Sequence, residues 1–111
     1  MKKNIIILSM LALSTIGVKA DPAKKVSLSY ANGKLKIVAE HPVKDVNTHY
    51  IDLINIEVDG KEVKVIKLKK QSSAEAEVEE LVIPEIKSGS TVKVKTRCNQ
   101  FGTKSGNLTI K

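Results

Sequence analysis

The sequence predicts an all-β fold, an immunoglobulin-like antiparallel β-sandwich of about seven strands. Three observations lead to this prediction. Apolar and polar residues alternate with a period of two after residue 24, Asn-Gly and Asp-Gly pairs mark two tight turns, and no stretch has the apolar spacing of a convincing helix. The 111 residues suffice for one such domain and leave little room for a second.

The alternating pattern opens with a predicted hairpin. The run VSLSY (26–30) alternates apolar with polar residues, the Asn-Gly pair at 32–33 favours a tight turn, and KLKIVAE (34–40) forms the returning strand. The His-Pro pair at 41–42 is expected to end this second strand, because proline has no N–H to donate to a sheet.

A second hairpin is predicted around the Asp-Gly pair at 59–60. Before it, THYIDLINIEV (48–58) has few polar positions, which is typical of a well-buried central strand. After it, the apolar residues of segment 63–68 continue the alternation on a fourth strand.

The acidic segment 74–84 is predicted to contain the fifth strand, which ends at Pro84. A helix over 73–82 is disfavoured, because its apolar residues form no helical stripe. The glutamates of this segment are expected to form a solvated strand face; they are Glu75, Glu77, Glu79 and Glu80.

The sixth strand is predicted in VKVKTRC (92–98), which places Thr96 and Cys98 on the apolar face and basic residues on the other. The segment NQFGTKSG (99–106) is predicted to be a loop. Residues 107–111 then form a short closing strand.

Residues 1–20 have the pattern of a cleavable signal peptide. Two lysines precede an uncharged apolar stretch, and Val18-Lys19-Ala20 fits the small-x-small cleavage pattern. The apolar stretch is shorter than the roughly 20 residues of a membrane-spanning helix. We therefore expect cleavage after Ala20, a mature domain of residues 21–111 in the periplasm or outside the cell, and no stable membrane anchor.

The charge and the composition exclude several function classes. The net charge falls from +7 to +4 when residues 1–20 are removed, and the remaining basic residues alternate along strands instead of clustering. The chain has only one Phe and two Tyr, so neither a basic patch nor a stacking platform indicates a nucleic-acid partner. The single cysteine excludes an internal disulfide and a cysteine-rich zinc ribbon.

Three residues are candidate metal ligands. His41 follows the second strand, His49 stands at the start of the third, and Cys98 ends the sixth. If these strand ends meet at one end of the sandwich, the side chains can bind iron, copper or zinc. The alternative is that the histidines lie in surface loops and the cysteine is a small buried apolar residue. A free thiol is a liability in an oxidising compartment, which argues for a role of Cys98.

Two segments resemble the iron domain of the superoxide reductase, or desulfoferrodoxin, family. HPVKDVNTHYIDLI (41–54) is similar to the signature His-Pro-Met…His-Tyr-Ile-Glu-Trp-Ile, and CNQFG (98–102) is similar to Cys-Asn-x-His-Gly. In addition, VDGKEV (58–63) and AEAEVEE (74–80) stand where the family has a hairpin and an acidic strand. The resemblance covers most of the mature chain and implies the same immunoglobulin-like sandwich.

The resemblance also implies a site and a reaction. In the family, four equatorial histidines and an axial cysteine hold ferrous iron (Fe²⁺), at which superoxide is reduced to hydrogen peroxide. His41 and His49 match two of the histidines, Cys98 matches the cysteine, and Lys24 matches a lysine that attracts the anionic substrate. Such an oxidoreductase implies an electron-donor protein as its partner.

Two of the family's ligand histidines have no counterpart in this chain. Lys25 and Phe101 stand at their positions, the loop from His41 to His49 is longer than in the family, and there is no tryptophan. Whether the protein is an enzyme is therefore open. Either water or a second chain completes an iron site, or the domain is a binding module that kept the fold without the iron chemistry.

The ending NLTIK (107–111), together with the His-Pro pair, also resembles the Z subunit of the periplasmic sulfur-oxidation carrier complex. That resemblance implies a non-catalytic domain that pairs with a periplasmic partner subunit bearing a cysteine arm. The sequence thus predicts an exported superoxide-reductase-like domain that binds iron through His41, His49 and Cys98, or else a partner module of this second kind.

Overall fold

Seven antiparallel strands in two sheets confirm the predicted sandwich. The structure, a computed structural model, describes residues 21–111, and the predicted signal peptide lies outside the described residues. Within this range there is no helix. The strands are β1 (Lys25–Ala31), β2 (Lys34–Glu40), β3 (Ile51–Val58), β4 (Lys61–Lys67), β5 (Ala76–Leu81), β6 (Thr91–Cys98) and β7 (Thr103–Thr109).

The two sheets enclose one apolar core. One sheet has the order β1-β2-β5 and the other the order β4-β3-β6-β7. β2 and β3 contribute the largest fully buried side chains, and each such residue stabilises the fold by about 1.5–3 kcal/mol relative to an exposed position. These side chains are Leu35, Ile37, Ile51, Ile54 and Ile56.

β6 follows the predicted alternation along its whole length. Val92, Val94, Thr96 and Cys98 are buried, and the residues between them are exposed. Because successive side chains on a strand point to opposite faces, this pattern places Cys98 on the core-facing side of β6, as the last residue of the strand.

β3 begins at Ile51 and not at residue 48, which corrects the predicted start of this strand. Asp45 organises the preceding segment as a turn, since its carbonyl accepts from the N–H groups of Thr48 (3.2 Å) and His49 (3.0 Å). Backbone groups that are bonded within a turn are not available to a strand ladder. His49 therefore lies in a turn before the strand.

β7 begins at Thr103, so the predicted loop over 99–106 is too long. Its polar residues pair in register with β6, from Arg97 opposite Thr103 to Thr91 opposite Thr109. Gly106 permits a close approach to β1, because a Cβ at this position would collide with the carbonyl oxygen of Val26.

The prediction that the glutamates of this segment form a solvated strand face is wrong for Glu77 on β5, which is only 2% exposed. Glu77 pairs with the buried Ala39 of β2, so it shares the inner face of the sheet while Val78 faces solvent. Its carboxylate accepts from the N–H of Ser72 at 2.8 Å. Burial is the main cause that raises the pKa of Glu77 to about 7, and the neighbouring Glu79 adds to the increase.

In the part of the chain that the structure describes, no helix is long and apolar enough to cross a membrane.

Candidate metal centre

Four potential metal ligands from four separate segments meet in space. Asp21 precedes β1, His41 follows β2, His49 precedes β3, and Cys98 ends β6. One ligand atom of each residue lies within 4.8 Å of the corresponding atom of every other. We call these four residues the metal cluster. The three ligands predicted from the sequence are thus brought together, and Asp21 joins them.

The dimensions of the metal cluster are close to those of a mononuclear site. Two ligands on opposite sides of one ion can be at most about 4.4 Å apart, given metal–nitrogen and metal–sulfur bonds of about 2.0–2.1 and 2.3 Å. The limit of 4.8 Å therefore requires movements of only a few tenths of an ångström. The donor set of two imidazoles, one thiol and one carboxylate suits iron, zinc and copper.

His41 is held in one orientation by the side chain of Gln71. The ring is 1% exposed, and its Nδ1 lies 2.7 Å from Gln71 Oε1. The amide cannot be turned round without losing bonds, because its Nε2 donates to the carbonyls of His41 (2.7 Å) and Ser73 (2.9 Å) while Oε1 accepts from the N–H of Ile51 (3.2 Å). Nδ1 must therefore carry the proton that it donates to Gln71.

The other ring nitrogen of His41 is consequently the one with the free lone pair. In the neutral ring, Nε2 is unprotonated when Nδ1 donates. Nε2 lies 2.9 Å from the carbonyl oxygen of Asp21, which is also an acceptor. Two acceptors that face each other are unfavourable unless a proton or a cation relieves the contact. A ligand histidine commonly donates its second N–H to a fixed acceptor in this way.

His49 also presents a ring nitrogen without a hydrogen-bond partner. Its Nε2 is inaccessible to solvent and lies 2.8 Å from Asp21 Oδ2, a salt-bridge distance for a protonated ring, yet it makes no hydrogen bond. The rings of His41 and His49 meet edge to face with centroids 4.9 Å apart.

Cys98 is buried at the base of the metal cluster, and its Sγ accepts from the N–H of Gln100 at 3.3 Å. Burial is the main cause that raises the pKa of the Cys98 thiol, and the charges of Asp21 and Asp52 act in the same direction. A bound cation would reverse this effect by favouring the thiolate.

The loop after Cys98 is fastened to the segment that carries His49. The side chain of Asn99 accepts from the N–H of Tyr50 (3.0 Å) and donates to the carbonyl of Thr48 (3.1 Å). The N–H of Asn99 in turn donates to the carbonyl of Tyr50 at 3.0 Å. These three bonds fix the position of His49 relative to Cys98.

The same loop holds Asp21 in place through its main chain. The N–H of Asp21 donates to the carbonyl of Phe101 at 3.0 Å, while the Phe101 side chain points outward and is 63% exposed. Gly102 leaves room for Pro22, since a Cβ at Gly102 would lie 2.7 Å from Pro22 Cδ. Where the family resemblance implies a ligand histidine, this chain thus uses a backbone carbonyl to position Asp21.

The other residues singled out from the sequence lie outside the metal cluster. Lys24 and Lys25 are exposed at the start of β1, and the N–H of Lys24 donates to the carbonyl of Glu40 at 2.7 Å. The substrate-attracting role of Lys24 stays a prediction. Sequence reasoning missed Asp21 and Gln71. Asp21 is the first residue after the predicted cleavage point, whereas no local signal marks Gln71.

An open cleft of about 550 Å³ adjoins the metal cluster at His49. Its lining includes one basic and one acidic residue, Lys44 and Asp45. The remaining lining residues are Pro42, Val43, Thr48 and Gln100.

Fold and site together define the class: an immunoglobulin-like sandwich in which four side chains that could hold a metal ion lie close together. No protein-family model matches the chain, and no curated protein matches it. Among solved structures, the chain is similar to a superoxide reductase in the oxidised state, determined at 2.0 Å resolution. The TM-score is 0.50 at 13% identity, over 78% of this chain and 86% of that one. The relation to superoxide-reductase-like domains is thereby supported at the level of the fold.

Proposed function

We propose that the protein is an exported superoxide-reductase-like domain that binds one ferrous ion through His41, His49 and Cys98, with Asp21 as a further ligand. The observation that carries the proposal is the convergence of these four ligand atoms within 4.8 Å. Iron is preferred over zinc and copper because of the fold relation, whereas the ligand types alone admit all three.

The two ring nitrogens of the metal cluster would be better satisfied with a bound cation than without one. His49 Nε2 has no hydrogen-bond partner, and His41 Nε2 faces a carbonyl oxygen. A buried polar atom without a partner costs about 1–3 kcal/mol. One cation among these atoms would satisfy both nitrogens and the carboxylate of Asp21 at once.

Superoxide reduction is the reaction that we propose for the loaded protein. Bound ferrous iron would supply one electron to superoxide, which takes up two protons and leaves as hydrogen peroxide. An electron-donor protein would then restore the ferrous state. Lys44 lines the cleft beside His49, so it can attract the anion in addition to Lys24.

Asp21 changes the electrostatics of this reaction. The resemblance implies one anionic ligand and four neutral ones, whereas Asp21 and Cys98 together supply two negative charges. Two such charges neutralise a divalent cation, so the site attracts superoxide less strongly. We therefore expect metal binding to be robust and superoxide reduction to be slower than in an enzyme with four histidines.

The test uses the mature protein, residues 21–111, purified without oxygen and mixed with ferrous iron. We expect one iron per chain by elemental analysis and, after oxidation, a thiolate-to-ferric charge-transfer band. Cys98→Ser should abolish the band, and Glu85→Gln, an exposed carboxylate outside the metal cluster, should leave it unchanged. Absence of both iron and the band in the unaltered protein would refute the proposal.

The activity needs its own measurement. Superoxide generated in pulses should be consumed by the ferrous protein with release of hydrogen peroxide and without release of oxygen. If iron binds but superoxide is not consumed, the domain is a metal-binding module without this reaction. Recovery of a stable complex with a cysteine-bearing subunit and no bound metal would instead favour the partner-module hypothesis.

A further inference from the structure

We propose that the α-amino group of Asp21, set free by cleavage after Ala20, is itself a ligand of the metal cluster. The complete site then exists only in the processed, exported protein. This inference rests on the proposed function and on the predicted cleavage. It adds the α-amino group of Asp21 to the four proposed ligands.

Asp21 faces the metal cluster with both its side chain and its main chain. Its Oδ2 lies 2.8 Å from His49 Nε2, and its carbonyl oxygen lies 2.9 Å from His41 Nε2. The backbone nitrogen of the same residue is bonded to the Cα that joins these two groups. The carboxylate and the carbonyl of Asp21 thus each lie beside one ring nitrogen, and the backbone nitrogen is joined to both groups through the same Cα.

The loop that follows Cys98 holds Asp21 in position through contacts with Asp21 and Pro22. The Asp21 nitrogen donates to the Phe101 carbonyl at 3.0 Å, and Pro22 packs against Gly102. The next residue, Ala23, is buried in the core. The position of the Asp21 nitrogen is thus determined by contacts that do not depend on what precedes it in the chain.

Cleavage changes what this nitrogen can do. In the uncleaved chain it is an amide nitrogen, which keeps its hydrogen for the bond to Phe101 and whose lone pair is delocalised into the peptide bond, so it is a poor metal ligand. A terminal amine has a localised lone pair and two hydrogens in its neutral form, so it can coordinate an ion and still donate one hydrogen to Phe101. Amine and carboxylate of Asp21 would close a six-membered chelate ring, and amine and carbonyl a five-membered ring.

This arrangement also accounts for the ligands that the chain lacks. The family resemblance implies histidines where Lys25 and Phe101 stand. The carboxylate and the amine of Asp21 are two donors, and they enter the metal cluster from the segment that precedes Lys25. Metal loading would therefore follow export, because removal of residues 1–20 creates one of the ligands.

The experiment compares two forms of the otherwise intact domain. One begins at Asp21 and is released from a fusion without extra residues; the other keeps Lys19-Ala20 in front of Asp21 with the α-amino group of Lys19 acetylated, so that the extension adds no free terminal amine. Cobalt(II) serves as the probe, with a chromophoric chelator as competitor. We expect the mature form to bind at least about tenfold more tightly, which corresponds to about 1.4 kcal/mol, with equal thermal stability of the two metal-free forms.

A spectroscopic readout separates coordination from a steric effect of the extension. In Cys98→Ser protein loaded with copper(II), no thiol can reduce the metal, and electron–nuclear double resonance counts the directly bound nitrogens. We expect three in the mature form and two in the extended form. Equal affinity and two nitrogens in both forms would overturn the amine ligand and leave the proposed function intact. No cobalt binding by either form would overturn both.

Discussion

The metal cluster and Glu77 are two buried polar regions that the fold treats in opposite ways. Glu77 lies on β5 next to Glu79; its carboxylate accepts from the N–H of Ser72, and burial raises its pKa to about 7. At the metal cluster, a hydrogen bond to Gln71 fixes the ring of His41, but the Nε2 atom of His49 has no hydrogen-bond partner and four ligand atoms lie within 4.8 Å of one another. Convergence of unsatisfied atoms, and not burial alone, distinguishes a candidate metal site.

Replacement of Gln71 by alanine should have the largest effect, because it removes the partner that fixes His41. The Nδ1 of His41, its carbonyl oxygen and the N–H of Ile51 would all lose a buried hydrogen bond. At about 1–3 kcal/mol for each such group, we expect the free energy of unfolding to fall by about 3 kcal/mol or more. Metal affinity should fall by about 10–100-fold.

Urea unfolding and metal titration measure the two effects, and Gln100→Ala is the matched control. The side chain of Gln100 makes only a long contact of 3.5 Å with the carbonyl of Thr48. Its removal should change stability by less than about 0.5 kcal/mol. Equal stability of the Gln71 and Gln100 variants would contradict the role that we assign to Gln71.

Metal should stabilise the protein through the metal cluster and not through Glu77. Ferrous iron at about 100 times its dissociation constant should raise the free energy of unfolding by about 2.7 kcal/mol. The increase should persist in Glu77→Gln and disappear in His49→Ala, as measured by anaerobic thermal unfolding with and without iron. An equal increase in His49→Ala would show that the ion binds elsewhere.

The pH dependence of stability between about pH 4.5 and 7 should come from Glu77. Its pKa rises from 4.5 to about 7 on folding, so the folded state binds a proton more tightly than the unfolded state. The resulting stabilisation is fully present below about pH 4.5 and is lost as the pH rises to about 7. The melting temperature of the unaltered protein should therefore fall over this interval.

Glu77→Gln removes the titrating group and should flatten this part of the pH profile, while Glu80→Gln, on the exposed side of the same strand, should not. Each kcal/mol corresponds to roughly 4–8 °C in a domain of this size. Parallel profiles for all three proteins, recorded by thermal unfolding without metal, would count against a raised pKa of Glu77.

Most of the fold could be predicted because period-two alternation reports directly on which strand face is buried. β6 shows this most clearly, with every second residue inside. The pattern failed where tertiary pairing overrides it. β2 fixes the register of β5 and turns Glu77 inward, and the polar start of β7 is a strand only because β6 offers it partners.

The candidate site could be predicted only in part for the same reason. His41, His49 and Cys98 are ligand types placed at strand ends, which sequence can indicate. Gln71 lies 30 residues from His41 in the chain, and its role depends on a hydrogen bond made after folding. Asp21 reaches the metal cluster only because a loop some 80 residues later receives it through a main-chain carbonyl.

At Phe101 the backbone is constrained by its contact with Asp21, whereas the side chain is exposed. Its carbonyl anchors Asp21, its φ is 84°, and its aromatic ring lies outside. Saturation mutagenesis at this codon should thus tolerate side chains of very different chemistry, with glycine and asparagine preferred for the left-handed backbone. The backbone conformation at this position, and not the identity of the side chain, is what positions Asp21.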